Sequence, residues 1–148
     1  MIAIERIDCL PIDRLEPLVA QAAATGFQAL ARLQDEWQSG VNRFDQPGEA
    51  LFIAADNGCV IGICGLNQDP YLHDPTVGRV RHLYVAVEHR RKGIGSQLVR
   101  AVMGAAKGRF TRLRLRTDSP GADGFYLSLG FMRFTAEPAC SHQVVLDG

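Results

Sequence analysis

The sequence contains no run of about 18 apolar residues, the length a helix needs to cross a bilayer, so no membrane span is expected. It does not open on a basic segment followed by an apolar run and a small-residue cleavage site, so no secretory signal is expected. Its four cysteines, Cys9, Cys59, Cys64 and Cys140, show no C-x-x-C spacing and no zinc pattern with histidine. The expectation is therefore no metal site, and reduced, mostly buried thiols in a cytoplasmic protein. Repeats, low-complexity tracts and internal linkers are missing, which predicts one α/β domain over residues 1–148. The phosphate loop G-x-x-x-x-G-K-(S/T) is absent, and so is the third glycine of a dinucleotide fingerprint. Net charge is missing too, since 16 Lys+Arg balance 16 Asp+Glu.

That zero hides an uneven distribution. Residues 1–78 hold 4 arginines against 11 acids, net −7, whereas residues 79–133 hold 12 basic residues against 3 acids, net +9. The basic stretch asks for an anionic partner. It carries no nucleic-acid motif, so nucleic acid is not expected, and a small polyphosphate ligand fits.

Periodicity outlines the elements. Met1–Ile7 alternates apolar and polar and predicts a strand, and helical spacing predicts helices over Pro11–Ala24 and Phe27–Trp37. Ala50–Ala55 and Cys59–Leu66 flank Asp56-Asn57-Gly58, a hairpin signal. A loop over Asn67–Thr76 leads into a long strand, Gly78–Val87. Helix Gly93–Lys107, strand Arg112–Thr117, helix Ala122–Leu129 and short strands Phe131–Phe134 and His142–Leu146 complete the chain.

The unit around HRRKGIGSQLV, His89 to Val99, carries the chemistry. A strand ends, Arg90-x-x-Gly93-x-Gly95 turns the corner, and a helix begins whose first N–H groups have no intrahelical acceptor. Those groups and the helix dipole favour an anion, and glycine lets the backbone come close to it.

HLYVAVEHRRKGIGSQLV, followed about thirty residues later by GADGFYLSLGF, resembles the GNAT superfamily of N-acetyltransferases. The family's pyrophosphate loop, (Q/R)-x-x-G-x-(G/A), is matched by Arg90, Gly93 and Gly95, after a strand whose L-x-V pattern is matched by Leu83 and Val85. A second family pattern, A-x-x-x-Y-x-x-x-G-F, is matched by Ala122, Tyr126, Gly130 and Phe131. The motifs cover residues from about 50 to 131, and the order of elements fits nearly throughout. The resemblance implies a mixed, mostly antiparallel sheet of six to seven strands with a splayed central pair, flanked by about four helices.

It also implies acetyl-CoA as acyl donor. Backbone N–H groups of Arg91, Lys92, Gly93, Ile94, Gly95 and Ser96 would cradle the pyrophosphate, with the side chains of Arg90, Arg91 and Lys92 adding charge; a solvated basic turn is the plain alternative. A bulge in the long strand would leave the edge at Leu83–Val85 free to pair the pantetheine arm, with the Val85 N–H facing the thioester carbonyl. The resemblance makes Tyr126 the proton donor to the leaving thiolate, against a mere packing role, and Phe125 core. Relatives often carry an Asn just after the next strand. Asp118 and Ser119 stand in that region, and Ser119 is the better candidate for a cofactor contact. Val87 stands where relatives often have proline.

The general base is less legible. Many relatives carry Glu or His on the long strand where this chain has Arg79 and Arg81. Arginine cannot serve as a base near neutral pH. The pair suggests a carboxylate or phosphate on the acceptor, a loop carboxylate held in place, or a salt-bridged sheet face. His82 points away in a regular strand and inward if bulged, which makes it the candidate catalytic base. Glu49, Asp69, Tyr71 and His73 fall near the acceptor region, and Tyr71 and His73 are candidate substrate contacts with Trp37 and Phe44. The expected acceptor is a small-molecule amine ahead of a protein amine. A homodimer through a C-terminal edge strand is a further expectation, and an acyl-CoA-binding sensor without catalysis is the alternative function.

Overall fold

A computed structural model describes residues 1–146. The chain runs β1 (Ile2–Ile7), α1 (Ile12–Ala24), α2 (Ala29–Ser39), β2 (Ala50–Asp56), β3 (Cys59–Gln68), β4 (Val77–Val85), α3 (Ile94–Ala106), β5 (Arg112–Leu115), α4 (Pro120–Ser128), β6 (Met132–Arg133) and β7 (His142–Val145). The strands form one sheet in the order β1-β2-β3-β4-β5-β7-β6. Every pairing is antiparallel except β4 with β5. The mixed, splayed architecture expected from the sequence is what the chain adopts, with seven strands and four helices among the described residues.

The β2–β3 turn shows how local chemistry sets the register. Asn57 and Gly58 both take positive φ, 52° and 83°, as the two central residues of a tight hairpin turn of the primed kind must. The resulting strands are buried along almost their whole length, because helices cover both faces of the sheet. Gly62 and Gly65, an odd number of residues apart on β3, face opposite sides. A Cβ on Gly62 would meet Leu98 of α3, and one on Gly65 would meet Phe44, in the loop after α2. The core therefore lies in two layers, one under α3 and α4 and one under α1 and α2.

Two irregularities in β4 make room for a site. Ile63 pairs with Tyr84 and Gly65 with Arg81, so His82 and Leu83 together oppose Cys64 alone. This is a β-bulge, and His82 sits in it with φ 62°. Further, β4 pairs with β5 only over Val77–Arg79, against Arg112–Arg114, and the two strands then part.

Several sequence-based boundaries shift for visible reasons. The expected Gly78–Val87 strand stops at Val85, because Val87–His89 winds into a 3-10 turn. The expected Arg112–Thr117 strand stops at Leu115. The Thr117 amide donates instead to Ser141 Oγ at 2.9 Å, and Arg116 Nη1 donates to the Pro138 carbonyl at 3.0 Å. The fourth helix begins two residues early, at Pro120, since proline needs no hydrogen bond in a first turn.

Candidate active site

Where β4 leaves β5, its outward backbone groups lose their partner strand. The Ala86 amide donates to the Ile61 carbonyl at 2.8 Å, so by alternation Tyr84 faces β3 while Leu83 and Val85 face the gap. The Val85 carbonyl is met there by Arg90 Nε at 2.9 Å, and the Arg90 guanidinium lies over the Tyr84 ring. The gap widens into a cavity of about 1150 Å³ that runs from the loop before α3 to the turn between α1 and α2.

At the loop end, Arg90 is extended, Arg91 takes φ 66° and Gly93 takes φ 80° before α3 begins at Ile94. Left-handed backbone at a residue other than glycine carries strain, and a run that alternates in this way is the kind of backbone from which anion-binding nests are built. A Cβ on Gly93 would touch nothing, so its glycine serves the backbone angle and not space. A Cβ on Gly95 would lie 3.4 Å from Phe125 and 3.8 Å from Val85, both on the cavity wall. Arg90, Arg91, Gly93, Ile94, Gly95 and Ser96 line the cavity, as do Leu83, Val85 and Ser119 on its other walls. Lys92 is exposed and lies outside the lining, so the structure does not bring it to the site.

Tyr126 projects from α4 into the same cavity. Its ring is wedged among Phe125, Phe131 and His142 and only 6% of the residue is exposed. Burial, reinforced by the nearby Cys64, pushes the phenol well above its ordinary value, so it stays protonated and available as a donor. A network that sequence reasoning missed holds α4 against the sheet. His142 Nε2 donates to Asp123 Oδ1 at 2.7 Å, and Arg133 donates to both Asp123 oxygens at 3.0 and 2.7 Å. These partners draw the Asp123 carboxyl down to about 2. The long-range pairing of residues 123, 133 and 142 leaves no local pattern by which it could have been found.

At the opposite end the arginines separate. Arg79 is spent internally: it donates to Asp69 Oδ2 at 3.2 Å and to the Ala139 carbonyl at 2.6 Å, with Tyr71 against its guanidinium at 4.7 Å. The Asp69 side chain is fully buried and also accepts from the Tyr71 and Leu72 amides. For Arg79 the loop-carboxylate alternative is the one the fold adopts. Arg81, two residues on and on the same face, has only a 3.5 Å contact to Asn67 Oδ1. Arg32 of α2 also lines this end, and sequence reasoning missed it, because which helical residues overlook the cavity depends on how α2 packs.

The bulge turns His82 onto the face of Arg81, edge-on to Phe44 with ring centroids 6.1 Å apart. The residue is 7% exposed and its ring nitrogens are shut off from solvent, with the Ala29 backbone as a polar neighbour. Burial, then Arg81 and Arg32, lower its pKa to about 3. So weak a base cannot take a proton from an alkylammonium of pKa about 10.4, which corrects the expectation of His82 as general base. His73 is exposed and outside the lining, so the fold does not bring it to the cavity, whereas Tyr71 does line it. Glu49 lies elsewhere, accepting from Asn67 Nδ2, the Gln68 amide and the Gln46 amide. Six arginines line the cavity (Arg32, Arg79, Arg81, Arg90, Arg91 and Arg116) and, among the described residues, no carboxylate does.

Known proteins share this fold. A family model described as the Acetyltransferase (GNAT) family matches residues 15–131. A structure from Exiguobacterium sp. 255-15, named as an acetyltransferase, is 29% identical with a TM-score of 0.87, covering 98% of this chain and 93% of its own. A GNAT-family acetyltransferase from Staphylococcus aureus Mu50 shares the fold at 17% identity and a TM-score of 0.74, covering 98% of this chain and 100% of its own. An acetyltransferase from Streptococcus agalactiae 2603 does so at 19% identity and a TM-score of 0.72, covering 98% and 97%.

Proposed function

The chain belongs to the GNAT acetyltransferase family, and from that premise we propose that it transfers an acetyl group from acetyl-CoA to an amine by direct attack, both substrates sharing the one cavity. The observation that carries this reading is continuity: the open edge at Leu83 and Val85 runs from the Arg91–Gly93 nest toward Tyr126. The nest, Arg90 and Arg91 suit a pyrophosphate, and the free edge suits an extended amide-bearing arm.

Acetyl-CoA, when bound, supplies a thioester carbonyl and a thiolate leaving group. In this reading the Val85 N–H donates to the carbonyl oxygen as negative charge develops there. The Tyr126 hydroxyl then donates to the departing sulfur and stabilises the thiolate as it leaves; with a thiol pKa of about 8.5, below the phenol's, the proton need not transfer fully. The amine loses its proton to water, since the end of the cavity near Arg32 and Arg81 offers guanidinium groups and the weakly basic His82 imidazole. Neighbouring guanidinium groups disfavour the ammonium and raise the neutral fraction. A reducing, cytoplasmic setting and a single domain over the chain belong to the same reading, supported by four unpaired thiols and one continuous sheet.

Calorimetry with acetyl-CoA and desulfo-CoA tests the cradle. Micromolar binding, weakened in Gly93→Asp, is the expected result, and no affinity for either would overturn the proposal. The Tyr126→Phe variant separates an enzyme from a sensor, because only an enzyme slows while still binding acetyl-CoA.

A further inference from the structure

The two ends of the cavity are both cationic, and an acetyl donor accounts for only one. Between Val85 and Arg81, β4 advances three ladder steps along β3, from Gly62 to Gly65, or about 10 Å. Arg81 is thus set well back from the nest, with Arg32 facing the same end from α2. Neither is in an ion pair, among the described residues. Their sister on the same strand face shows what the fold does with a structural cation: Arg79 receives a fully buried Asp69. Among the described residues no acid stands within ion-pair distance of Arg32 or Arg81, Glu49 reaching only as far as the Asn67 that Arg81 touches, and none lines the cavity beside them.

We propose that Arg32 and Arg81 together bind an anionic group, a carboxylate or a phosphate monoester, carried by the amine acceptor. This rests on the acetyltransferase reading and names its substrate class: amines that also bear negative charge. Guanidinium pairs recognise such oxyanions through short charge-assisted bonds in a fixed fork. A polyamine or a lysine-rich peptide would instead bring cations against cations with no carboxylate to receive them. The buried His82 imidazole lies beside them, against the Ala29 backbone. The imidazole stays uncharged there, so it adds no further repulsion toward the amine.

The test uses matched acceptors that differ in the anionic group: β-alanine against β-alaninamide, O-phosphoethanolamine against ethanolamine, with spermidine as the cationic control. In at least one pair the anionic member should have the higher kcat/KM by about tenfold, carried in KM. Whichever pair responds distinguishes carboxylate from phosphate. In Arg32→Gln and Arg81→Gln that ratio should fall toward one, and Arg81→Lys should restore part of it. Equal use of both members in both pairs, or preference for spermidine, overturns the proposal. So does an unchanged ratio in both glutamine variants. Calorimetry of the same amines with the CoA-loaded protein separates this idea from the one beneath it. Anion-dependent binding lost in the double variant, with no acetyl transfer to any amine, sustains the anion site and sinks the transferase. Acetyl transfer to amines with no anion dependence does the reverse.

Discussion

The two halves of β4 behave as different structures. Over Val77–Arg79 the strand is paired on both sides, and its arginine is buried against a carboxylate. From Val80 to Val85 it keeps only β3, and its arginine faces a cavity without an acid. Arg79 and Arg81 are two residues apart, identical in chemistry and on one face. Their roles diverge because one lies where β5 is present and the other where it has turned away. In one strand, pairing thus decides whether a cation is buried against a carboxylate or left facing the cavity.

The sharpest way to break the comparison is at Asp69. Asp69→Ala leaves Arg79 and Arg114 buried without that carboxylate, and urea unfolding should show a loss of about 3 kcal/mol or more. An effect under about 1 kcal/mol would mean that the paired half is not held by this charge. On the open half, Tyr126→Phe should lower kcat about 100-fold in stopped-flow or steady-state assays while the acetyl-CoA Kd holds. Equal loss of binding would make the tyrosine a packing residue. Gly93→Asp forces a side chain into φ 80° and adds an acid to the nest, so the acetyl-CoA Kd should rise about tenfold or more.

A smaller effect sits at α4, the far wall of the open half. Asp123 has a folded pKa of about 2, below its ordinary 3.8, so its contribution to stability is present above 3.8 and is lost as pH falls toward 2. The Tm gap between the protein and Asp123→Asn should therefore close as pH drops through that window. A gap that persists at the acid end would assign the stabilisation to something other than the carboxylate. The smallest effect is expected at Arg81 itself. Arg81→Gln should change unfolding stability by no more than about 0.5 kcal/mol, whatever it does to acceptor choice. A cost like that at Asp69 would erase the distinction between the halves.

How legible the site was follows the range of the interactions. Arg90, Gly93 and Gly95 were readable because a turn into a helix is local, and so was the hairpin at Asn57-Gly58. Tyr126 was readable through its spacing to Gly130 and Phe131, residues on one short helix and its exit. What holds that helix was not, because Asp123 meets partners 10 and 19 residues away. The bulge at His82 left no mark in a pattern that alternates on either side of it, so its inward turn could be entertained and not assigned. The carboxylate of Asp69 and the guanidinium of Arg79 were each noticed, but only the fold joins them. Arg32 was invisible for the same reason.

The Thr117 amide has one further consequence. It is satisfied by Ser141 Oγ, and Arg116 beside it is occupied by the Pro138 carbonyl. Both contacts draw the end of β5 toward the segment that leads into β7, and so does the Leu115 carbonyl, which accepts from the Ser141 amide at 2.8 Å. The side of the gap away from β4 is thus anchored by a serine that lines none of the cavity. Removing that hydroxyl loosens the wall across from Leu83–Val85 without touching the edge itself.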